Sequence, residues 1–211
     1  MTGGAVRDQV LVTARNMLSH GLSQGTSGNV SARDGKEGFW ITPSALAYDR
    51  CVPEDMVWLD WAAQARGRRK PSSEWRMHAD IYRIFPQAGA ILHAHSPCCT
   101  ALACLERSLP AFHYMVAIAG GDSIRCAPYA AFGTQALSDT VIAALNGRSA
   151  ALMAHHGMVC HGVDLDHVLA LAIEVETLAR IYLQALAVAE PPTLSATAMD
   201  EVLCRFKDYK P

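Results

Sequence analysis

Apolar residues recur at helical spacing at the start of the chain. Val6, Val10, Ala14, Met17 and Leu18 share one face, and Gly21 suits the position just past a helix end. The next stretch, GLSQGTSGNVSAR, has no such period, and its Gly, Ser, Thr and Asn content predicts a loop that exposes backbone N–H groups. GFWIT and MVWLDW predict strands, with a loop from Pro43 to Pro53 between them. SSEWRMHADIYRIFP predicts a helix capped by hydroxyl residues, with Glu74 in its first turn and a proline at its close. GAILHAH then predicts a strand, PCCTALACLER a helix with Pro97 at its first position, and SIRCAPYA another strand. Thr134 or its neighbours can cap a helix through QALSDTVIAAL, while AALMAHH and GMVCHG predict two strand segments meeting at Gly157. After Asp164 comes the longest helical pattern, carried by Val168, Leu171, Ala172, Val175, Leu178, Ala179 and Tyr182, and a short helix near DEVLCRF follows. There is no internal repeat, so the pattern alone defines a mixed α/β chain.

Composition narrows the setting. The 211 residues are 51% hydrophobic and 18% charged, a globular chain apolar enough to lean toward a buried subunit interface. Eighteen basic and twenty acidic residues give a net charge of -2, and the basic cluster Arg66, Arg68, Arg69, Lys70 is short, which argues against nucleic acid as a partner. No apolar run is long enough for a membrane helix, and charges interrupt the apolar pattern at the start as they would not in a signal peptide. Seven cysteines without an export signal predict reduced thiols and a cytoplasmic protein.

Candidate chemistry concentrates in a few short stretches. Strand residues two apart point to one face, so His93 and His95 in LHAH project together. Alone, such a pair is more often hydrogen-bonded than metal-bound. Glu74 opens the helix leading into that strand, and His155 and His156 end another strand before a glycine, so one of that pair can join the same face. Three neutral imidazoles and one displaceable carboxylate make a tetrahedral set suited to zinc. QGTSGN offers backbone N–H groups with Thr26, Ser27 and Asn29, and Ser44, Ser72 and Ser73 add donors of the same kind, equipment for a phosphate. Singly, each of these is an ordinary turn or cap; the two serines, however, directly precede Glu74, which puts the phosphate beside the metal.

GLSQGTSGNVS, ITPSALAY, PSSEWRMH, LHAH, PAFHYMVAIAGGDSI, CAPYAAFGT, HHGM, EVETLARIYL and the tail RFKDYKP together resemble the class II aldolase/adducin superfamily in matching order from the first helix onward. The resemblance implies a single domain over residues 1–211: a central, mostly antiparallel sheet with helices on both faces and a mobile tail from about residue 205. It implies one zinc ion per subunit on His93, His95 and His156, with Glu74 as a resting ligand that serves as acid/base during turnover. Phosphate contacts fall on Thr26, Asn29, Ser44, Ser72 and Ser73. Ala45 stands where close relatives carry glycine, and a positive φ there would be strained. Tyr114 matches a tyrosine that protonates the departing aldehyde oxygen in a neighbouring subunit, which implies a homotetramer, and Tyr209 matches one on a tail that closes over substrate. The implied reaction is zinc-dependent cleavage of a ketose 1-phosphate to dihydroxyacetone phosphate and an aldehyde. L-Fuculose 1-phosphate, yielding L-lactaldehyde, leads the candidates, and 5-deoxy- and 5-methylthio-ribulose 1-phosphates compete.

A bound zinc stabilises the negative charge left on the dihydroxyacetone phosphate half, so no Schiff-base lysine is needed, and only Lys70 lies near. In the condensing direction Glu74 removes a proton, a role that a pKa raised by apolar surroundings would suit. Rival readings are a sugar-phosphate 4-epimerase, decarboxylase or dehydratase of the same superfamily, a non-catalytic adducin-like interaction protein, and a thiol enzyme built on Cys98 or Cys99 at a helix start. Glutamate at position 74 favours the aldolase over epimerases, which resemble SSD at this place.

Overall fold

Side chains alternate along the central strand β5 (Ala90–Ala94), and that alternation sorts the molecule into layers. Ala90, Leu92 and Ala94 join the core formed with helices α1 (Gly3–Ser19), α3 (Pro97–Cys104) and α5 (Leu165–Leu186). Ile91 joins the core on the opposite face, under α2 (Trp75–Ile84) and α4 (Gln135–Leu145). The computed structural model describes residues 3–208. Its remaining strands are β1 (Asn29–Asp34), β2 (Gly38–Ile41), β3 (Val57–Asp60), β4 (Ala65–Arg66), β6 (Arg125–Ala127), β7 (Ala150–Met153) and β8 (Gly157–Gly162). They form one eight-stranded sheet in the order β4-β3-β2-β1-β5-β8-β7-β6, antiparallel throughout except for the β6–β7 pair. A mostly antiparallel sheet with helices on both faces is the architecture that the resemblance implies.

Several boundaries follow the sequence closely. Pro97 opens α3, Thr134 caps α4 by accepting from Leu137 N–H, and Asp164 caps α5 by accepting from His167 N–H. Other expectations are corrected. NVSAR, predicted as loop, is strand β1, because Val30 and Ala32 alternate into one core while Asn29 and Ser31 face a buried polar cluster on the other side. Two buried polar positions disguise the strand period. Glu74 does not sit in the first turn of α2 but at the residue before it, and neither Ser72 nor Ser73 caps that helix with its side chain. His155 and His156 do not end a strand, since β7 stops at Met153 and both histidines lie in the tight connection to β8. Helix α6 (Ala196–Asp208) is longer than DEVLCRF and includes residues 205–208; Tyr209 lies outside the described residues.

Strand register carries function here. Asn29 pairs with His93 and Ser31 with Ile91, so directly opposed residues of β1 and β5 share the face that α2 covers. On the other flank Ala94 pairs with Met158, one residue beyond Gly157. A Cβ on Gly157 would meet the Ala94 carbonyl oxygen at 2.3 Å and the His95 ring at 3.2 Å. Only glycine lets β8 start this close to β5, and that approach brings His156 to His93 of β5 and to His95 just past its end. Gly157→Ala is therefore expected to cost about 1–3 kcal/mol by overpacking in a denaturant titration, and unchanged stability would show that the contact is not tight.

Candidate active site

His93 leaves the end of β5 toward the α2 face, and its ring is completely buried. Its Nδ1 lies 2.8 Å from the Met158 carbonyl, so it donates there and turns Nε2 inward. His95, two residues on, follows the same direction, and its Nε2 stands 3.0 Å from that of His93. His156 completes a triangle, with ring centroids 4.8–4.9 Å apart and each pair of rings set edge to face. Of the HHG pair it is therefore His156 that joins, as one member was expected to. His155 adopts a left-handed backbone, φ 55°, and turns its ring outward to Glu106, 3.0 Å away.

Glu74, at the N-terminal end of α2, points its carboxylate into this triangle. Oε2 is 3.0 Å from His93 Nε2 and accepts from Asn29 Nδ2 at 3.1 Å; Oε1 is 3.4 Å from His156 Nε2 and, although buried, has no hydrogen bond. Such an orphaned buried carboxylate oxygen is costly unless a cation sits against it. Burial alone would raise the Glu74 pKa, but the charge and hydrogen bond of His93, then His156 and Asn29, hold it well below the carboxylate range. The raised pKa expected from apolar surroundings is thus corrected: in this arrangement the neighbours are basic, not apolar. His93 shifts the other way: burial lowers its pKa, but the Glu74 carboxylate raises it by more. Burial and the His93 charge push His95 and His156 down to about 4, so both are neutral near pH 7 and able to act as ligands. Three convergent imidazole nitrogens within 4.8 Å of one another and a free carboxylate oxygen fit a metal ion, the borderline donor set that zinc favours.

A cavity of about 360 Å³ opens beside the triangle. Thr26, Asn29, Ser44, Ala45, Ser72 and Ser73 line it, and so do Tyr129, Phe132 and His155. Every residue expected to contact phosphate thus lines the same cavity as Glu74. The Gln24–Ser27 turn is closed by Ser27, whose hydroxyl donates to the Gln24 carbonyl at 2.7 Å. Buried Tyr48 donates to the Gly28 carbonyl at 2.7 Å, and a Cβ on Gly28, at φ 75°, would meet the His93 carbonyl at 2.7 Å. The cradle is therefore pinned directly against the histidine strand. Tyr114 does not line the cavity; it begins the short 3-10 turn Tyr114–Ala119 and is 51% exposed.

Sequence reasoning missed His78, Tyr48, Tyr129 and Phe132. His78 is completely buried, with Nε2 2.5 Å from Asn29 Oδ1 and Nδ1 2.7 Å from Ser31 Oγ, which lies 2.8 Å from the Tyr82 hydroxyl. The signal was available: His78 stands four residues after Glu74, the spacing of neighbours on one helix face. The thiol reading fails on geometry. Backbone N–H groups of Cys98 and Cys99 donate to the two oxygens of Glu176 at 2.8 and 2.9 Å, so a carboxylate already occupies that helix start. Burial, then Glu176, raises the Cys98 thiol to about 11, and the same causes raise Cys99. Neither is a thiolate near neutral pH.

Residues 8–183 match the family described as Class II Aldolase and Adducin N-terminal domain, and the chain belongs to that family. Among curated relatives, a 5-methylthioribulose-1-phosphate/5-deoxyribulose-1-phosphate aldolase of Rhodospirillum rubrum is 49% identical over 97% of this chain and 92% of its own length. An L-fuculose phosphate aldolase of Escherichia coli K12 is 46% identical over 95% of this chain and 94% of its own. A solved structure of an L-fuculose 1-phosphate aldolase superposes with a TM-score of 0.94 at 36% identity, covering 98% of both chains. No helix among the described residues is long and apolar enough to cross a membrane.

Ala45 has the positive φ expected to strain it, 55°. A left-handed alanine costs about 1–2 kcal/mol, and glycine gives back about 0.4–1 kcal/mol of that through its freer unfolded chain. Ala45→Gly should raise the melting temperature by roughly 1–3 °C in calorimetry; a lowered value would mean that neighbouring contacts, rather than strain, dominate there.

Proposed function

We propose that this chain is a zinc-dependent class II aldolase that splits a ketose 1-phosphate into dihydroxyacetone phosphate and an aldehyde ending in a methyl or thioether group. One observation carries the reading: an ionised, buried Glu74 touches the imidazole triangle and opens onto a wall of hydroxyls and amides in the same cleft. Named activities of the relatives support it, since their substrates are C1-phosphorylated ketoses with an apolar far end. L-Fuculose 1-phosphate and the 5-methylthio- and 5-deoxy-ribulose 1-phosphates share that chemistry.

His93, His95 and His156 would hold the metal, with Glu74 as a fourth ligand until substrate arrives. Bound zinc supplies a Lewis acid that withdraws negative charge from the carbonyl and hydroxyl oxygens of the dihydroxyacetone phosphate half. Thr26, Asn29, Ser44, Ser72 and Ser73, with the backbone amide at Ala45, would bind the phosphate and so fix the reacting carbons relative to the histidines. Glu74, released from the metal, moves the proton at C1 of that half, giving it up in cleavage and removing it in condensation. Its low pKa in the resting arrangement reflects contact with imidazoles and would rise once it turns to a neutral substrate carbon. Tyr129 and Phe132, exposed on the cavity wall, offer apolar surface for the aldehyde half.

Tyr114 lies outside its own subunit's cavity and is half exposed, which supports a role in a neighbour's site, protonating the departing oxygen within a homotetramer. Tyr209 is proposed to close over substrate. The protein is proposed to work in the cytoplasm.

A coupled assay for dihydroxyacetone phosphate across the three substrates should report cleavage, with Glu74→Gln lower by about 10²- to 10⁴-fold. Interconversion of pentulose 5-phosphates without triose phosphate would instead make the chain an epimerase. Light scattering should give a tetramer, and a fully active monomer would remove Tyr114 from the mechanism.

A further inference from the structure

A file of buried polar side chains leads away from Glu74 through Asn29, His78 and Ser31 to Tyr82, and each of these is at most 6% exposed. The direction of every hydrogen bond in it follows by elimination. Asn29 sets its Nδ2, not its Oδ1, 3.1 Å from Glu74 Oε2, so it offers the carboxyl group its amide NH₂. Asn29 Oδ1 then faces His78 Nε2 at 2.5 Å, and an oxygen without a proton requires Nε2–H as the donor. The His78 ring is completely buried and meets only an amide oxygen and a hydroxyl, with no carboxylate against it, so it is neutral and its Nδ1 is an acceptor. Ser31 therefore donates to Nδ1 and, its one proton spent, accepts from the Tyr82 hydroxyl. All four hydrogen bonds point toward the carboxylate.

We propose that His78 is a positioning residue for the aldol reaction, which as the Nε2–H tautomer locks the Asn29 amide with its NH₂ toward Glu74 and the phosphate wall. An Asn29 flipped by half a turn would set Oδ1 against the Glu74 carboxylate, two acceptors face to face with no proton between them. His78 Nε2–H forbids that flip, because it would then meet the NH₂ group. The strand register that opposes Asn29 to His93, and the one-turn spacing from Glu74 to His78 on α2, bring the three groups together. Asn29 Oδ1, an acceptor only, selects the Nε2–H tautomer, and inward-facing Ser31, opposite Ile91, supplies the proton that the bare Nδ1 needs.

The proposal rests on the proton-transfer role assigned to Glu74, so its test includes a measurement that does not depend on activity. Nitrogen NMR of histidine-labelled, zinc-loaded full-length protein at neutral pH should show His78 as a single neutral Nε2–H tautomer. Ser31→Ala should keep the Nε2–H form and shift only the Nδ1 resonance, since Asn29 Oδ1 still requires that proton. In the cleavage assay His78→Leu should lower kcat by about 10- to 100-fold, the range for residues that orient a metal centre's ligands, with KM much less affected. His78→Gln, whose amide keeps an N–H toward Asn29, should recover most of that loss. A wild-type His78 found as Nδ1–H or as an imidazolium would overturn the proposal whatever the enzyme's substrate. Equal loss in the Leu and Gln variants, or an unchanged kcat in His78→Leu, would also overturn it. Should His78→Leu fail to fold, the spectrum and the kcat of His78→Gln decide, and a Gln variant as inactive as Glu74→Gln contradicts the account.

Discussion

Burying one carboxylate among three imidazole rings is the constraint that organises this molecule. An isolated charge taken out of water costs several kcal/mol even after relaxation, and Glu74 is only 5% exposed. The Asn29 amide and the His93 ring offset part of that cost, yet one carboxylate oxygen retains no hydrogen bond. An arrangement so unfavourable to a bare anion becomes favourable once a divalent cation shares it, which is why the cluster reads as a metal centre rather than a core ion pair.

The fold holds this arrangement by rigid elements rather than by loops. His93 comes from the middle of the sheet, Glu74 from a helix start and His156 from a hairpin that Gly157 keeps against β5. Asn29 is fixed twice, by pairing with His93 across the sheet and by His78 beneath it. By contrast, the cavity walls are loops: the Gln24–Ser27 turn, the strained Ala45 segment and the stretch bearing Tyr129 and Phe132. Such a division lets the histidine cluster stay constant while the loops around the cavity change.

Much of this was legible in the chain, for identifiable reasons. Periodicity located α1, α4 and α5, and Pro97, Thr134 and Asp164 marked helix starts, because these signals are local. That His93 and His95 project together was readable from strand alternation, but not that they form a site. Helix-start and turn composition brought in Glu74 and the hydroxyl-rich stretches, and motifs in matching order added the choice of His156 over His155. Strand β1 was hidden because Asn29 and Ser31 are polar residues facing inward, so the usual apolar–polar alternation gave no inward apolar row on that side. The turn at His155 was missed because its left-handed backbone depends on packing far along the sequence, including the hydrogen bond from His155 N–H to the Ala103 carbonyl. A carboxyl pKa depends wholly on neighbours assembled by the fold, so the upward shift expected for Glu74 had the wrong direction.

The account stands on a metal held by residues from β5, the β7–β8 turn and the start of α2. Anomalous diffraction from a crystal of the zinc-loaded protein, recorded on both sides of the zinc absorption edge, tests it most directly. It predicts one strong anomalous peak per chain, within bonding distance of His93, His95 and His156 and beside Glu74. A peak elsewhere, or none at full zinc loading, would contradict it.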